Sequence, residues 1–123
     1  MNVEELNDYC LAKPFTSASC PFGPDTLVFK VFEKIFALTG LDAVQCSLNL
    51  KCQPEYAIEL RERYPAVTPG YHMNKKMWNT VQVDELMDDI LLKHLIDHSY
   101  IEVVKGLPKK YREQVEAALE NGE

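Results

Sequence analysis

Hydrophobic and polar residues recur along this chain with two different periods. Apolar residues at every third or fourth position, which is typical of a helix, follow Asn2, then Pro54, and then Asp84. Apolar residues at every second position, which is typical of a strand, occupy 27–31, 35–38 and 45–51 and return within 71–82. The chain is therefore expected to place a helix before three strands, and a second helix before two further strands and the C-terminal helices.

Capping residues and prolines give the expected ends of the helices. Asn2 with Glu5 forms a capping-box pattern, so the first helix is predicted over 3–12, before Pro14. Pro54 suits the first position of a helix over 54–64. Asp84 is expected to cap a long helix with a break near 97–99, followed by a last helix over 108–119. The proline-rich segment 15–24 is predicted to be a loop.

Two β-hairpins are expected among the strands. The first is predicted to turn at Glu33-Lys34, and the second, over 71–82, to carry Asn74-Lys75-Lys76 at its tip. Between them, a strand over 45–51 would face inward with Cys46, Leu48 and Leu50. The predicted fold is one α+β domain over 1–123, in two layers: an antiparallel sheet of about five strands with helices on one side, in the order α-β-β-β-α-β-β-α.

The charge of the chain changes how this fold is interpreted. The 123 residues carry a formal net charge of −6, with 46% hydrophobic residues, a composition typical of a globular protein. An acidic chain opposes sequence-blind binding to nucleic acid. The charge is uneven, however: segment 49–80 is slightly basic, and segment 81–104 is strongly acidic. One local basic surface is therefore compatible with the composition.

The N-terminal residues and the four cysteines indicate a cytoplasmic protein. The first residues lack the order of a signal peptide, and no apolar stretch approaches the ~18–20 residues that span a bilayer, so no membrane association is expected. No two cysteines have CxxC spacing. In the absence of an export signal, we interpret the cysteines as structural thiols rather than as a disulfide framework.

No arrangement of residues favours an enzyme, a cofactor or a metal. His94 and His98 lie four residues apart on a predicted helix, but no third ligand is evident, so they are interpreted as ordinary helix histidines. Cys20 and His72 lie in predicted loops without an oxyanion motif around either. Paired acids such as Asp88-Asp89 are explained by a solvated helix face. The protein is expected to be non-enzymatic.

The segment with features of nucleic-acid binding runs from 49 to 80. Lysines at a hairpin tip beside aromatic rings can place cations on phosphates and a ring against a base. The same residues are also explained by a soluble turn and a core tryptophan. The candidate contact residues are Lys51, Arg61, Arg63, Tyr71, His72, Asn74, Lys75, Lys76 and Trp78.

Three stretches together resemble the MmcQ/YjbR family. The first is PFGPDTLVFKV at 21–31, and the third is LIDHSY at 95–100 with LPKK at 107–110. The second and longest combines NLKC at 49–52, LRERYP at 60–65, PGYHMNKK at 69–76 and WNTV at 78–81. The resemblance extends over nearly the whole chain and preserves the order of the motifs.

The resemblance implies a fold like that of type III secretion chaperones and DNA binding through a double wing of two β-hairpins, with no established reaction. The wings would be the hairpins around Glu33-Lys34 and around Asn74-Lys75-Lys76. In this chain Glu33 and Lys34 cancel, so the first wing carries little net charge. The alternatives are a protein-interaction module that binds a partner on the sheet and a small-ligand site in the loop 65–78.

Overall fold

The protein, studied as a computed structural model, is described over residues 1–41, 46–70, 74–83 and 88–122. Within these ranges four helices and six strands form an α+β fold, which confirms the predicted class. In chain order the elements are α1 (Val3–Leu11), β1 (Thr16–Ser19), β2 (Thr26–Val31), β3 (Lys34–Gly40), β4 (Ser47–Lys51), α2 (Pro54–Arg63), β5 (Val67–Pro69), β6 (Trp78–Gln82), α3 (Asp89–Lys105) and α4 (Lys109–Glu120).

The six strands form one antiparallel sheet in the order β1-β2-β3-β4-β6-β5. Strand β4 is therefore flanked by two hairpins, β2–β3 on one side and β5–β6 on the other. Because all neighbours are antiparallel, the β2–β3 turn, the C-terminal end of β4 and the β5–β6 connection lie at the same end of the sheet. We call this the hairpin end.

Helix α3 is attached to the middle of the sheet through a buried serine. The Ser99 hydroxyl donates to the carbonyl of Phe36 at 2.6 Å and accepts the backbone N–H of Lys51 at 2.8 Å. Around it, apolar side chains of the sheet and helices form the core, among them Leu6, Phe29, Leu48, Val81, Ile96 and Tyr100. The helix is thereby oriented so that its C-terminal residues reach the hairpin end.

Segment 15–24, which was predicted to be a loop, contains strand β1. Residues 16–19 pair with 28–31 along the free edge of β2. The prediction was wrong here because the four residues TSAS carry no hydrophobic alternation, and the strand depends on backbone pairing to a neighbour. Pro14 and Pro21 lie outside this strand and do not interrupt it.

Two further boundaries differ from the prediction. The first strand of the second hairpin is β5 at Val67–Pro69, whereas the predicted residues 71–73 lie outside the described ranges. Helix α3 begins after Asp88, whose side chain accepts the N–H of Ile90 at 3.0 Å; the predicted cap, Asp84, also lies outside those ranges.

The break predicted near 97–99 is absent, and α3 is continuous from Asp89 to Lys105. Its polar residues do not interrupt the helix because they have tertiary partners. Asp97 accepts a hydrogen bond from the hydroxyl of Tyr9 at 2.7 Å and pairs with Lys13, and Ser99 bonds to the sheet.

The cysteines among the described residues are free thiols. Cys10 and Cys52 are buried in the core, and burial raises the pKa of Cys10 to about 12 and the pKa of Cys52 to about 11. Both are therefore protonated at neutral pH and pack as small apolar side chains. Across the ranges that the structure describes, no helix is long and apolar enough to cross a membrane.

Candidate nucleic-acid interface

An open groove of about 420 Å³ lies at the hairpin end. Three strand ends and the C-terminal part of α3 enclose it. Its lining consists of Glu33, Lys34 and Ile35 from the first hairpin, Lys51 from β4, Trp78 from β6, and Val103 and Gly106 from the end of α3. Two lysines against one glutamate make its lining basic, although the whole chain is acidic.

Lys51 lies between the two hairpins. It is the register partner of Trp78, so the two side chains leave the sheet on the same face. Its backbone N–H is bonded to Ser99, which holds the residue in place. Within the described part of the chain, neither the Lys51 nor the Lys34 ammonium group has a hydrogen-bond or ion-pair partner. Both cations are available to an anion in the groove.

The tip of the second hairpin is a turn organised by Asn74. Its side-chain oxygen accepts the N–H of Lys76 at 3.0 Å, and its carbonyl accepts the N–H groups of Met77 and Trp78 at 3.2 and 2.9 Å. The two lysines of the tip differ. The ammonium group of Lys75 donates to the carbonyl of Gly70 at 3.2 Å, whereas Lys76 is exposed and makes no such bond to any described residue.

Arg61, a predicted phosphate contact, holds this tip against α2. Its Nε donates to the side-chain oxygen of Asn79 at 2.6 Å, and its Nη2 donates to the carbonyls of Lys75 and Trp78. Asn79 is itself buried and donates to the carbonyl of Ala57 at 3.4 Å. The guanidinium group is therefore occupied by the protein, and Arg61 supports the hairpin from behind.

The remaining predicted residues are not all brought together. Arg63 is exposed in the last turn of α2, with its guanidinium carbon 5.6 Å from the ring centre of Tyr64. No hydrogen bond or ion pair joins Arg63 to the tip or the groove within the described ranges. Tyr71 and His72 lie outside those ranges, as does part of the small-ligand loop. The hairpin end thus unites Lys51, Asn74, Lys75, Lys76 and Trp78.

Sequence reasoning missed the cations that flank the first hairpin. The charges of Glu33 and Lys34 cancel, so the first hairpin is expected to carry little net charge, yet Lys34 lines the groove. Lys109 and Lys110 begin α4 immediately after the end of α3, and Tyr111 places this helix against Phe32, with the ring centres 4.6 Å apart. The motif LPKK at 107–110 was the available signal, but the residues alone do not place it beside the turn.

Four acidic residues lie together away from the groove. Glu4, Glu5, Asp88 and Asp89 lie at the starts of α1 and α3, where the N-terminal amine pairs with Asp89 at 3.1 Å. The groove lies at the other end of α3, and a helix of 17 residues is about 25 Å long. This separation exceeds the Debye length of ~8 Å at physiological salt, so the acidic end weakens the basic end only slightly.

The two histidines of α3 are separate from the groove. His98 is half-buried: its Nε2 accepts the N–H of Gln53 at 3.2 Å, and the Tyr56 ring lies 5.1 Å from its own. His94 is exposed, and the described residues contain no group of three side chains that could hold a metal. Burial lowers the pKa of His98, against the opposing charge of Glu102.

This lowered pKa predicts a loss of stability in mild acid. The unfolded chain protonates His98 near pH ~6.5, whereas the folded protein resists protonation, so the unfolded state binds more protons and stability decreases as the pH falls from 7 to 5. His98→Gln keeps an acceptor for Gln53 without titrating. Urea unfolding at pH 5, 6 and 7 should show a shallower decline in the variant. Parallel curves would contradict the prediction.

Comparison with known proteins identifies the family. A sequence model of the YjbR family matches residues 11–101. The protein named "Uncharacterized protein YbdF" of Escherichia coli O157:H7 is 40% identical over 112 residues, covering 91% of this chain and 92% of that protein. "Uncharacterized protein YjbR" of Escherichia coli K12 is 34% identical over 112 residues, covering 91% and 95%.

Solved structures agree with this assignment. The crystal structure of protein DR2400 of Deinococcus radiodurans is similar with a TM-score of 0.86 and 38% identity, over 93% of this chain and 87% of that one. A crystal structure of a Pseudomonas syringae protein is similar with a TM-score of 0.70 and 31% identity, over 80% and 96%. The chain therefore belongs to the YjbR family.

Proposed function

We propose that this protein binds DNA at its hairpin end and acts by binding rather than by catalysis. The observation that carries the proposal is the position of both hairpins at one end of the sheet, on either side of Lys51. Two projecting hairpins with a basic groove between them can straddle a phosphate backbone. The contacts would be electrostatic and would position the protein without reading a sequence.

We assign the proposed contacts to three lysines and one aromatic ring. Lys34 and Lys51 would meet phosphates in the groove, and Lys76 would do so from the tip of the second hairpin. The Trp78 ring would form the wall beside Lys51. Arg61 acts as a positioning residue because its donors are bonded to Asn79 and to the hairpin backbone.

Three lysines imply weak binding that depends on salt. Each phosphate neutralised contributes about −0.9 to the slope of log affinity against log salt concentration, so a slope of about −2 to −3 is expected. The net charge of −6 adds no long-range attraction. Binding should therefore be measurable near 50 mM salt and largely lost at 200 mM.

The test is a titration of fluorescent duplex and single-stranded DNA at several salt concentrations. Lys51→Gln and Lys76→Gln should each weaken binding at low salt and reduce the slope by about one, and the double variant by about two. Lys93→Gln is the matched control: it makes the same change in charge on an exposed residue near the acidic start of α3.

Two results would overturn the proposal. One is the absence of binding to both duplex and single-stranded DNA by the unmodified protein even at the lowest salt concentration. The other is an equal loss of affinity in Lys93→Gln and Lys51→Gln, since that would show an effect of net charge rather than of the groove.

A further inference from the structure

Three aromatic rings stack beside the first hairpin. The rings of Phe15 and Phe32 have centres 4.9 Å apart and lie within 15° of parallel. The ring of Tyr111 lies 4.6 Å from that of Phe32. We call Phe15, Phe32 and Tyr111 the aromatic stack. It joins the segment before β1, the β2–β3 turn and the first turn of α4.

Two members of this stack have a strained backbone. Phe15 has a φ of 61° and Phe32 a φ of 52°, and they alone among the described non-glycine residues have positive φ. Phe32 is the first of two loop residues between paired Val31 and Lys34, a position that favours glycine when φ is positive. The N–H of Phe32 donates to the carbonyl of Phe15 at 3.0 Å, which couples the two strained residues.

Packing alone is a weak reason for keeping phenylalanine at position 15. Phe15 remains 46% exposed, so burial accounts for only part of its surface. A glycine at this position would remove the strain. Residues with a strained backbone cluster at functional sites, including those that hold a ligand.

Two lysines neighbour members of the stack. Lys110 is exposed, and its ammonium group lies 4.9 Å from the ring centre of Tyr111. Lys34 follows Phe32 by two residues and lines the groove. An exposed aromatic face beside lysines is the combination that binds single-stranded nucleic acid, because the ring stacks on a base while the cations contact its phosphates.

We infer that the Phe15 ring is a stacking platform for an unpaired base, so that the site takes strands with unpaired bases in preference to continuous duplex. This inference rests on the proposed function. Inside a duplex both faces of each base are covered by its neighbours, whereas a single strand or an overhang offers unpaired bases with a free face. The groove lysines would then contact phosphates of the same strand.

The experiment compares three fluorescent DNA ligands at low salt: a single strand, a blunt duplex of equal length, and that duplex with an overhang. We expect the single strand and the duplex with an overhang to bind about 5- to 50-fold more tightly than the blunt duplex. Phe15→Leu keeps an apolar side chain but removes the aromatic face, and should abolish most of this preference while leaving duplex affinity unchanged. Phe15→Tyr should preserve it.

The controls separate this inference from the proposed function. Lys51→Gln should weaken the binding of all three ligands. If nucleic acid binds but Phe15→Leu affects all ligands equally or none, the platform is wrong and the proposed function stands. If no ligand binds at low salt, the proposed function fails and the inference with it.

A second measurement does not depend on the folding of any variant. An oligonucleotide carrying 5-iodouracil, which photocrosslinks to aromatic side chains stacked on it, is irradiated with the unmodified protein. Crosslinking should map to Phe15, and mapping exclusively elsewhere would overturn the inference. Comparing the crosslinking of matched DNA and RNA oligonucleotides then shows whether the site prefers deoxyribose or ribose.

Discussion

Gly70→Ala is expected to lower the free energy of unfolding by about 3 kcal/mol, because the added methyl group has no space. A Cβ atom at Gly70 would lie 2.8 Å from the Cβ of Trp78 and 2.9 Å from its carbonyl oxygen. These atoms belong to the paired strand, and the N–H of Gly70 donates to that carbonyl at 2.8 Å. Relief of the clash requires the end of β5 to separate from β6. Urea denaturation measures the effect.

Gly106→Ala is the matched control for this substitution. Its backbone is right-handed, with φ −89° and ψ −1°, and an added Cβ would meet only the carbonyl oxygen of Val103, at 3.5 Å. Alanine should be neutral there, or stabilising by up to about 1 kcal/mol. Equal losses in the two variants would contradict the explanation, since they would indicate a general cost of replacing glycine.

Arg61→Ala should be the next most destabilising substitution at the hairpin end, by about 2–3 kcal/mol. It removes hydrogen bonds from a charged group to the buried Asn79 and to the backbone of the tip. It leaves the side-chain oxygen of Asn79 without this donor, and it also removes the packing of the arginine stem. Chemical denaturation compared with the unmodified protein gives the value.

Arg63→Ala makes the same change in charge two residues later on the exposed side of α2 and should alter stability by less than about 0.5 kcal/mol. The pair also separates two roles for Arg61. If Arg61 positions the tip, Arg61→Ala lowers the stability of the protein and disturbs the tip together. If Arg61 instead binds phosphate, the same substitution weakens DNA binding while the stability stays unchanged. The second outcome would contradict the role assigned here.

Local patterns were sufficient for most elements. The capping box of Asn2 and Glu5 is present, with the N–H of Glu5 donating to the side chain of Asn2 at 2.8 Å. Pro54 is the first residue of α2, the helix position that proline was predicted to occupy. Strand β4 follows the predicted alternation over Ser47–Lys51. These features depend on residues within one turn or one strand, so the sequence contains the information directly.

The candidate site was only partly predictable for a different reason. Arg61 and Lys76 are both basic residues of the same segment, and nothing local distinguishes them. In the folded protein Asn79 and the backbone of the tip occupy the guanidinium group of Arg61, while Lys76 stays exposed. Which cation is free depends on partners up to 18 residues away.

By itself, the sequence determined the α+β class, most helix and strand positions, the uneven charge and the resemblance to a family. Only the tertiary structure decided that β1 joins the sheet and that both hairpins turn at one end. It also decided that the ammonium groups of Lys34, Lys51 and Lys76 have no partner there among the residues the structure describes. Hydrophobic periodicity and caps act between near neighbours, whereas strand order and side-chain partnership arise from contacts between distant segments. The net charge of −6 follows from the amino-acid composition, whereas the distance between the acidic helix starts and the basic groove depends on the fold.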